Sequence, residues 1–215
     1  MDLDFHRARR QMVEEQLIPR GIAEPRVLAA MGKVERHRFM PAAHLANAYA
    51  DGAFPLPHGQ TISQPYIVAL MSQMLKLQPG QRVLEIGTGC GYQTAVLAEL
   101  GGEIYSMEQN AELAAGARAL LEELGYRHVH VTCGNGWAGW PEHAPYDRII
   151  VTCAPPSVPE ALIRQLAPGG RIILPLGEAG AVQTLYGILK DRDGVLTRRR
   201  GINVRFVPML EKTGT

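Results

Sequence analysis

The sequence predicts an α/β fold, a mainly parallel twisted sheet with helices on both faces and an N-terminal helical extension. Three observations carry that prediction. From residue 66 onward, short runs rich in Val, Ile and Leu alternate with helical patterns at intervals of about 20–25 residues. A glycine-rich turn, Gly87–Gly91, joins the first of these runs to the helix that follows it. Residues 5–45 show helical spacing before any strand pattern begins.

The elements follow in order. Phe5, Met12, Val13 and Leu17 fall near helical spacing among charges, and Pro19-Arg20-Gly21 ends that segment. Pro25 suits the first turn of a second helix with Val27, Leu28 and Met31 on one side, and Pro41 restarts a short piece. Between Ala50 and Pro65, the residues Pro55, Pro57, Gly59 and Pro65 forbid long regular structure; loops of such length in compact domains are often functional. Tyr66–Leu77 is predicted as a helix closed by Pro79-Gly80. The predicted order continues with strand Arg82–Ile86, helix Tyr92–Leu100, strand Glu103–Met107, helix Ala111–Leu124, and strands His128–Thr132 and Tyr146–Thr152. Helix Pro159–Leu166, strand Arg171–Pro175 and two late strands, Thr184–Lys190 and Val204–Met209, complete it.

Composition bounds the function. The 215 residues, 46% hydrophobic and 20% charged, suit one globular domain: residues 1–65 supply helices and a loop, and 66–215 the α/β core. A net charge of +1 argues against a nucleic-acid partner, and Arg198-Arg199-Arg200 reads as a solvated turn. Three cysteines with no C-x-x-C pair give no disulfide framework and no metal site. The charged start Met1-Asp2-Leu3-Asp4 and the absence of any apolar run near ~18 residues predict a cytoplasmic protein with no membrane segment.

The most specific local signal is Val83-Leu84-Glu85-Ile86-Gly87-Thr88-Gly89-Cys90-Gly91-Tyr92. A Gly-rich strand-to-helix turn lets a ligand approach the backbone beside the helix N-terminus. Dinucleotide enzymes use G-x-G-x-x-G, but the third glycine position here is Tyr92, which suits a pyrophosphate poorly. An acid two residues before the first glycine is instead the pattern of S-adenosylmethionine enzymes. In that pattern Glu85 and the turn (Gly87, Thr88, Gly89, Gly91, Tyr92) face the methionine end of the cofactor. Glu108, ending the second strand, is placed to accept hydrogen bonds from ribose hydroxyls. Cys90 lies where a helix N-terminus could activate a thiol, yet no His supports it and it reads as a small filler. His128 and His130 share a strand face without a third ligand.

The loop Gly59-Gln60-Thr61-Ile62-Ser63-Gln64-Pro65-Tyr66-Ile67-Val68 adds a second, more diagnostic signal. With Met12–Leu17, Arg20–Ile22, Arg26–Met31, Phe39–Pro41, Ala48–Asp51, Gly139–Glu142, Pro145–Thr152, Gly169–Arg171 and Val204–Pro208, it strongly resembles the protein-L-isoaspartate (D-aspartate) O-methyltransferase family over nearly the whole chain. The resemblance implies a Rossmann-like, S-adenosyl-L-methionine-dependent methyltransferase. Such an enzyme methylates the free α-carboxylate of L-isoaspartyl residues, with D-aspartyl residues as a second candidate, in damaged proteins and peptides. The ester then closes without the enzyme to a succinimide, whose hydrolysis returns some normal aspartate. The resemblance implies that Ser63 donates its hydroxyl to the substrate carboxylate, Thr61 and Ile62 complete the seat, and Gln64 holds the loop. Val204 and Phe206 would lie beside the substrate backbone, and Gly134, Asn135 and Gly136 beside the adenine. Such an enzyme is expected to act as a monomer.

The implied chemistry is consistent with the residues present. An α-carboxyl titrates near about 3.5, so the nucleophile is already ionised at neutral pH and no general base is needed. Alignment of that oxygen with the methyl donor can supply several kcal/mol, on the order of 7–11 in well-oriented systems. Two positions depart from the family pattern. Asn135 stands where Asp is usual, which predicts weaker cofactor binding, because a neutral amide is a poorer acceptor than a carboxylate. Cys90 replaces a Ser of similar size. The rivals are a methyltransferase for another carboxylate, a silent cofactor-binding module, and a nicotinamide oxidoreductase.

Overall fold

The computed structural model describes residues 4–210. Asp4 caps the first helix, Phe5–Gln11 (α1), by accepting from the N–H of Arg7, and the helical path continues to Arg20. Gly21 ends it in the left-handed region at φ 87°, which a side chain would resist. Pro25 opens the next helix, Pro25–Lys33 (α2), which buries Val27, Ala30 and Met31. Pro41 precedes a 3-10 stretch, Ala42–Asn47. The Pro/Gly-rich segment holds a two-residue hairpin, Phe54–Pro55 (β1) against Thr61–Ile62 (β2), before helix Pro65–Leu75 (α3). Lys76 in the left-handed conformation closes α3 short of the expected Leu77.

The core then alternates: Arg82–Ile86 (β3), Tyr92–Glu99 (α4), Glu103–Glu108 (β4), Ala111–Glu123 (α5), Val129–Cys133 (β5) and Tyr146–Val151 (β6). Glu160–Gln165 (α6), Leu166–Leu176 (β7), Gln183–Lys190 (β8) and Leu196–Val204 (β9) follow. The strands line up as β5-β4-β3-β6-β7-β8-β9, parallel from β5 to β7 and antiparallel thereafter. Strand order reverses at β3, whose neighbours are β4 and β6, and this opens a crevice at their carboxyl ends.

Side-chain alternation divides the core. Val83, Ile104, Ile150, Ile173 and Leu185 pack with α3, α4 and the N-terminal segment, and Leu84, Ile149, Ile172 and Leu174 with Leu162 of α6. Tyr92–Ala98 is buried on all sides because the N-terminal segment lies over α4, an environment that suits a helix apolar all round.

Two expectations at the C-terminus need correction. Val204–Met209 is not a strand: Val204 ends β9, and the chain turns across the end of β6, where Met209 N–H donates to Ala154 O at 2.9 Å and Ala154 N–H to Val207 O at 2.8 Å. Arg198-Arg199-Arg200 is not a turn but the middle of β9, the outermost strand of the sheet. Both of its faces meet water, so the apolar alternation that marks a half-buried strand is missing. Arginines on such an edge also discourage strand-to-strand aggregation.

Candidate active site

A cavity of about 370 Å³ lies in the crevice at the ends of β3, β4 and β6. Its floor is the glycine turn. Gly87 sits at φ 97°, and a Cβ there would lie 2.4 Å from Thr152 Oγ1. The Thr152 hydroxyl, within 2.6 Å of Gly87 O and 3.0 Å of Ile86 O, ties the end of β6 to the turn. Thr88, Gly89 and Tyr92 line the cavity, whereas Gly91 (φ 89°) caps α4 from behind and packs against Leu121. Glu108 also lines it, held by the N–H groups of Gly89 at 2.9 Å and Asn110 at 3.0 Å. With one oxygen anchored on each donor, the carboxylate keeps lone pairs for a ligand's hydroxyls.

Glu85 is placed differently from the expectation that it faces the cofactor. It is fully buried beneath the turn and does not line the cavity. One oxygen accepts from Thr94 Oγ1 at 2.6 Å and Ser106 Oγ at 2.7 Å, and the other has no partner. Burial pushes its pKa up to about 7, against those two hydrogen bonds. Ser106 in turn lies 2.6 Å from Thr88 Oγ1, so Glu85 reaches the cavity through two hydroxyls.

Of the Gly134-Asn135-Gly136 run, only Gly136 lines the cavity. A Cβ there would stand 2.4 Å from Ile86 Cγ2, and one at Gly134 would crowd Met107 at 3.1 Å. Asn135 turns its Oδ1 to the Trp137 N–H at 3.0 Å, a capping bond typical of Asn at the start of a helical turn. Asn135 itself does not line the cavity. Cys90 and Cys153 line the cavity half-buried, and desolvation pushes their thiol pKa values up to about 11 and about 12, which disfavours the thiolate.

A second groove adjoins the first, and the two share Thr61 and Ser63. Gln64, Val204 and Phe206 line the groove, while Ile62 faces the cofactor-side cavity. The loop is clamped from the groove side. Asp51 accepts from Gln64 Nε2 at 2.7 Å through one oxygen and from Arg20 Nη1 at 2.8 Å through the other. Arg20 also lies 3.5 Å over the ring of Tyr66.

Other site features had no signal in the sequence. His58 lines the cavity, with Nε2 3.0 Å from Glu112 Oε2 on α5, so the loop spans the cavity mouth. Arg36 is wholly buried, with no carboxylate partner among the described residues. Its Nε donates to Ala48 O at 2.9 Å and its guanidinium lies 4.8 Å from the ring centre of Tyr92. Burial lowers its pKa. Val207, Pro208 and Met209, expected as strand, instead form one wall together with Leu210.

The residues fit a nucleoside carrying a charged chain: an anchored acid for hydroxyls, a glycine-rich turn, and an apolar wall of Ile86, Met107 and Met209 for a flat ring. The sequence matches the family model described as "Protein-L-isoaspartate(D-aspartate) O-methyltransferase (PCMT)" over residues 7–214. A protein-L-isoaspartate O-methyltransferase of Gloeobacter violaceus is 52% identical over 198 residues, 92% of this chain and 96% of that protein. Among solved structures, a protein-L-isoaspartate O-methyltransferase superposes with a TM-score of 0.83 at 29% identity, covering 95% of this chain and 67% of the other. A Plasmodium falciparum protein described as the same enzyme, in complex with S-adenosyl-L-homocysteine, gives 0.79 at 25% identity, covering 94% and 98%.

Proposed function

This chain belongs to the protein-L-isoaspartate(D-aspartate) O-methyltransferase family, and from that premise we propose that it methylates the free α-carboxylate of isoaspartyl residues at the junction of its two grooves. The protein is an S-adenosyl-L-methionine-dependent carboxyl methyltransferase acting on isoaspartyl-containing proteins. One observation supports the proposed division of labour above all: Thr61 and Ser63 belong to both grooves, so their side chains stand where the two ligands meet.

S-adenosyl-L-methionine supplies an electrophilic methyl group on sulfur. Glu108 would hold the ribose hydroxyls, the Gly87–Gly89 turn would admit the chain close to backbone, and the wall of Ile86, Met107 and Met209 would pack the adenine. On the other side, the Ser63 hydroxyl would donate to one carboxylate oxygen and leave the other free to attack. Ser63 acts here as an orienting donor, not a base, since the carboxylate is ionised at neutral pH. Transfer from sulfonium to carboxylate neutralises both charges, so closing the mouth with residues 58–63 and 207–210 lowers the barrier by displacing water. Val204 and Phe206 would flank the substrate backbone, Gln64 would fix the loop, and D-aspartyl residues would use the same seat.

The protein is further proposed to be a single domain acting as a monomer in the cytoplasm; no helix among the described residues is long and apolar enough to cross a membrane. The test is transfer of labelled methyl from S-adenosyl-L-methionine to paired peptides that differ only in isoaspartyl or normal aspartyl linkage. Label should appear in the isoaspartyl peptide alone. Ser63→Ala should lower kcat/KM by about 100- to 1000-fold, the range for loss of one oriented donor, with cofactor Kd little changed. Equal labelling of both peptides would overturn the substrate assignment, and full activity in Ser63→Ala would overturn the role of the serine.

A further inference from the structure

The arginine run of β9 is unused by the reaction described above, yet the strand that carries it leads directly into the substrate groove. Among the described residues β9 is the last strand of the sheet, and no described strand pairs with the backbone N–H and C=O groups of its outer edge. Asn203 and Val204 at its end, with Arg205 and Phe206 beyond, line the groove that shares Ser63 with the cofactor cavity. Upstream on the same strand stand Arg198, Arg199 and Arg200, all exposed. Among the described residues, no carboxylate lies within ion-pair distance of these three or of Arg205. Arg199 opposes Gly187 and Arg171 opposes Leu189 on β8, which extends the positive charge inward across the sheet. In a chain of net charge +1, four such groups along one line to the site form a local asymmetry.

Resting on the methyltransferase reading of the groove, we propose that the outer edge of β9 is an extended subsite that selects isoaspartyl substrates with acidic flanking residues. An unfolded or damaged segment is extended, and an extended chain can continue from the groove along a free strand edge by main-chain pairing. A bulge in β9 sets Asn203 and Arg200 opposite Thr184 and Tyr186, so at about 3.3 Å per β8 residue Arg200 and Arg198 lie roughly 7 and 13 Å along the sheet from Asn203. Acidic residues about three to five positions from the isoaspartate therefore meet the guanidinium groups. Arg suits this use, since its planar fork pairs with carboxylates through two parallel hydrogen bonds. Arg198 is also steadied against the Tyr186 ring, 5.4 Å from its centre.

The experiment compares kcat/KM for isoaspartyl peptides with three Glu or three Lys placed three to five residues from the isoaspartate, on one side and then on the other, with a neutral peptide as reference. Each exposed ion pair contributes a factor of about 1.5–5, so the acidic peptide should be preferred by about tenfold on one of the two sides. The preference should shrink in 0.5 M salt. In Arg198→Ala/Arg199→Ala/Arg200→Ala the Glu-to-Lys ratio should fall toward one, and in Arg198→Glu/Arg200→Glu it should invert. Because the ratio is taken within each variant, a general loss of activity does not imitate the result. A wild-type ratio near one on both sides, or an unchanged ratio in the triple variant, overturns the subsite. So does a sedimentation result in which the β9 edge is covered by a second copy of the chain. If no isoaspartyl peptide is methylated, including the neutral one, it is the underlying functional reading that fails.

Discussion

Glu85 is enclosed at the end of β3, with Thr94 and Ser106 donating to one oxygen and nothing to the other. Burial raises its pKa from 4.5 to about 7, so the folded protein binds the proton more tightly than the unfolded chain does. An acid shifted in that direction contributes stability fully below about 4.5 and loses it as pH rises through about 7. The interval corresponds to at most about 3 kcal/mol. Glu85→Gln removes the ionisation, so its melting temperature relative to wild type should improve by several degrees between pH 5 and pH 8. Thermal unfolding at the two pH values checks this, and an offset that stays constant with pH would sink it. The residue scale is also where the site was only partly legible. Glu108 could be placed because its distance from the glycine turn is set by one crossover, whereas the burial of Glu85 depends on Ser106 of β4 and Thr94 of α4, whose approach no local pattern encodes. The orientation of Asn135 was not legible for a related reason: its oxygen accepts from the Trp137 N–H, a capping bond that the spacing of the run does not encode.

The loop from Ala50 to Pro65 is held as an element by one carboxylate. Asp51 joins Arg20, at the end of the N-terminal helical path, to Gln64, next to Ser63. Asp51→Ala releases both partners, and because Asp51 lines the substrate groove and not the cofactor cavity, the loss should fall on the peptide. KM for an isoaspartyl peptide should rise by about 2- to 10-fold, the worth of a solvent-exposed hydrogen bond of about 0.5–1.5 kcal/mol, with the Kd for S-adenosyl-L-homocysteine within twofold of wild type. Steady-state kinetics with calorimetry decides it, and equal losses in both constants would show that the clamp supports the whole crevice instead. Elements punctuated by their own chemistry were legible: Pro25 opening α2 and the glycine turn between β3 and α4. β9 was not, because a strand exposed on both faces has no apolar period, and β7 extends back through Pro168-Gly169-Gly170, residues that locally signal a turn.

Across the whole molecule, the two grooves are separated everywhere except at Thr61 and Ser63, while the cofactor-side cavity draws its walls from parts of the chain far apart in sequence. Residues 58–63 come from the N-terminal loop, 86–93 and 107–110 from the early strands, and 207–210 from the segment after β9. A ligand bound there joins these segments, and it stabilises the fold by about 2.7 kcal/mol at a hundred times its Kd. That stabilisation should not be uniform. Saturating S-adenosyl-L-homocysteine should slow amide exchange most in those four segments, the Gly89 N–H that donates to Glu108 among them. Residues 196–202 of β9 touch neither the cavity nor the groove and should exchange as before. An isoaspartyl peptide with acidic flanks, added to that complex, should then protect β9 and deepen protection at Thr61 and Ser63, because only those residues line both the cavity and the groove. Hydrogen exchange followed by mass spectrometry resolves the two steps. Protection spread evenly over the sheet at the first step would mean that the cofactor acts through global stability alone. Protection of β9 before any peptide is added would mean that the two sites are coupled through the sheet and not through the loop that holds Ser63.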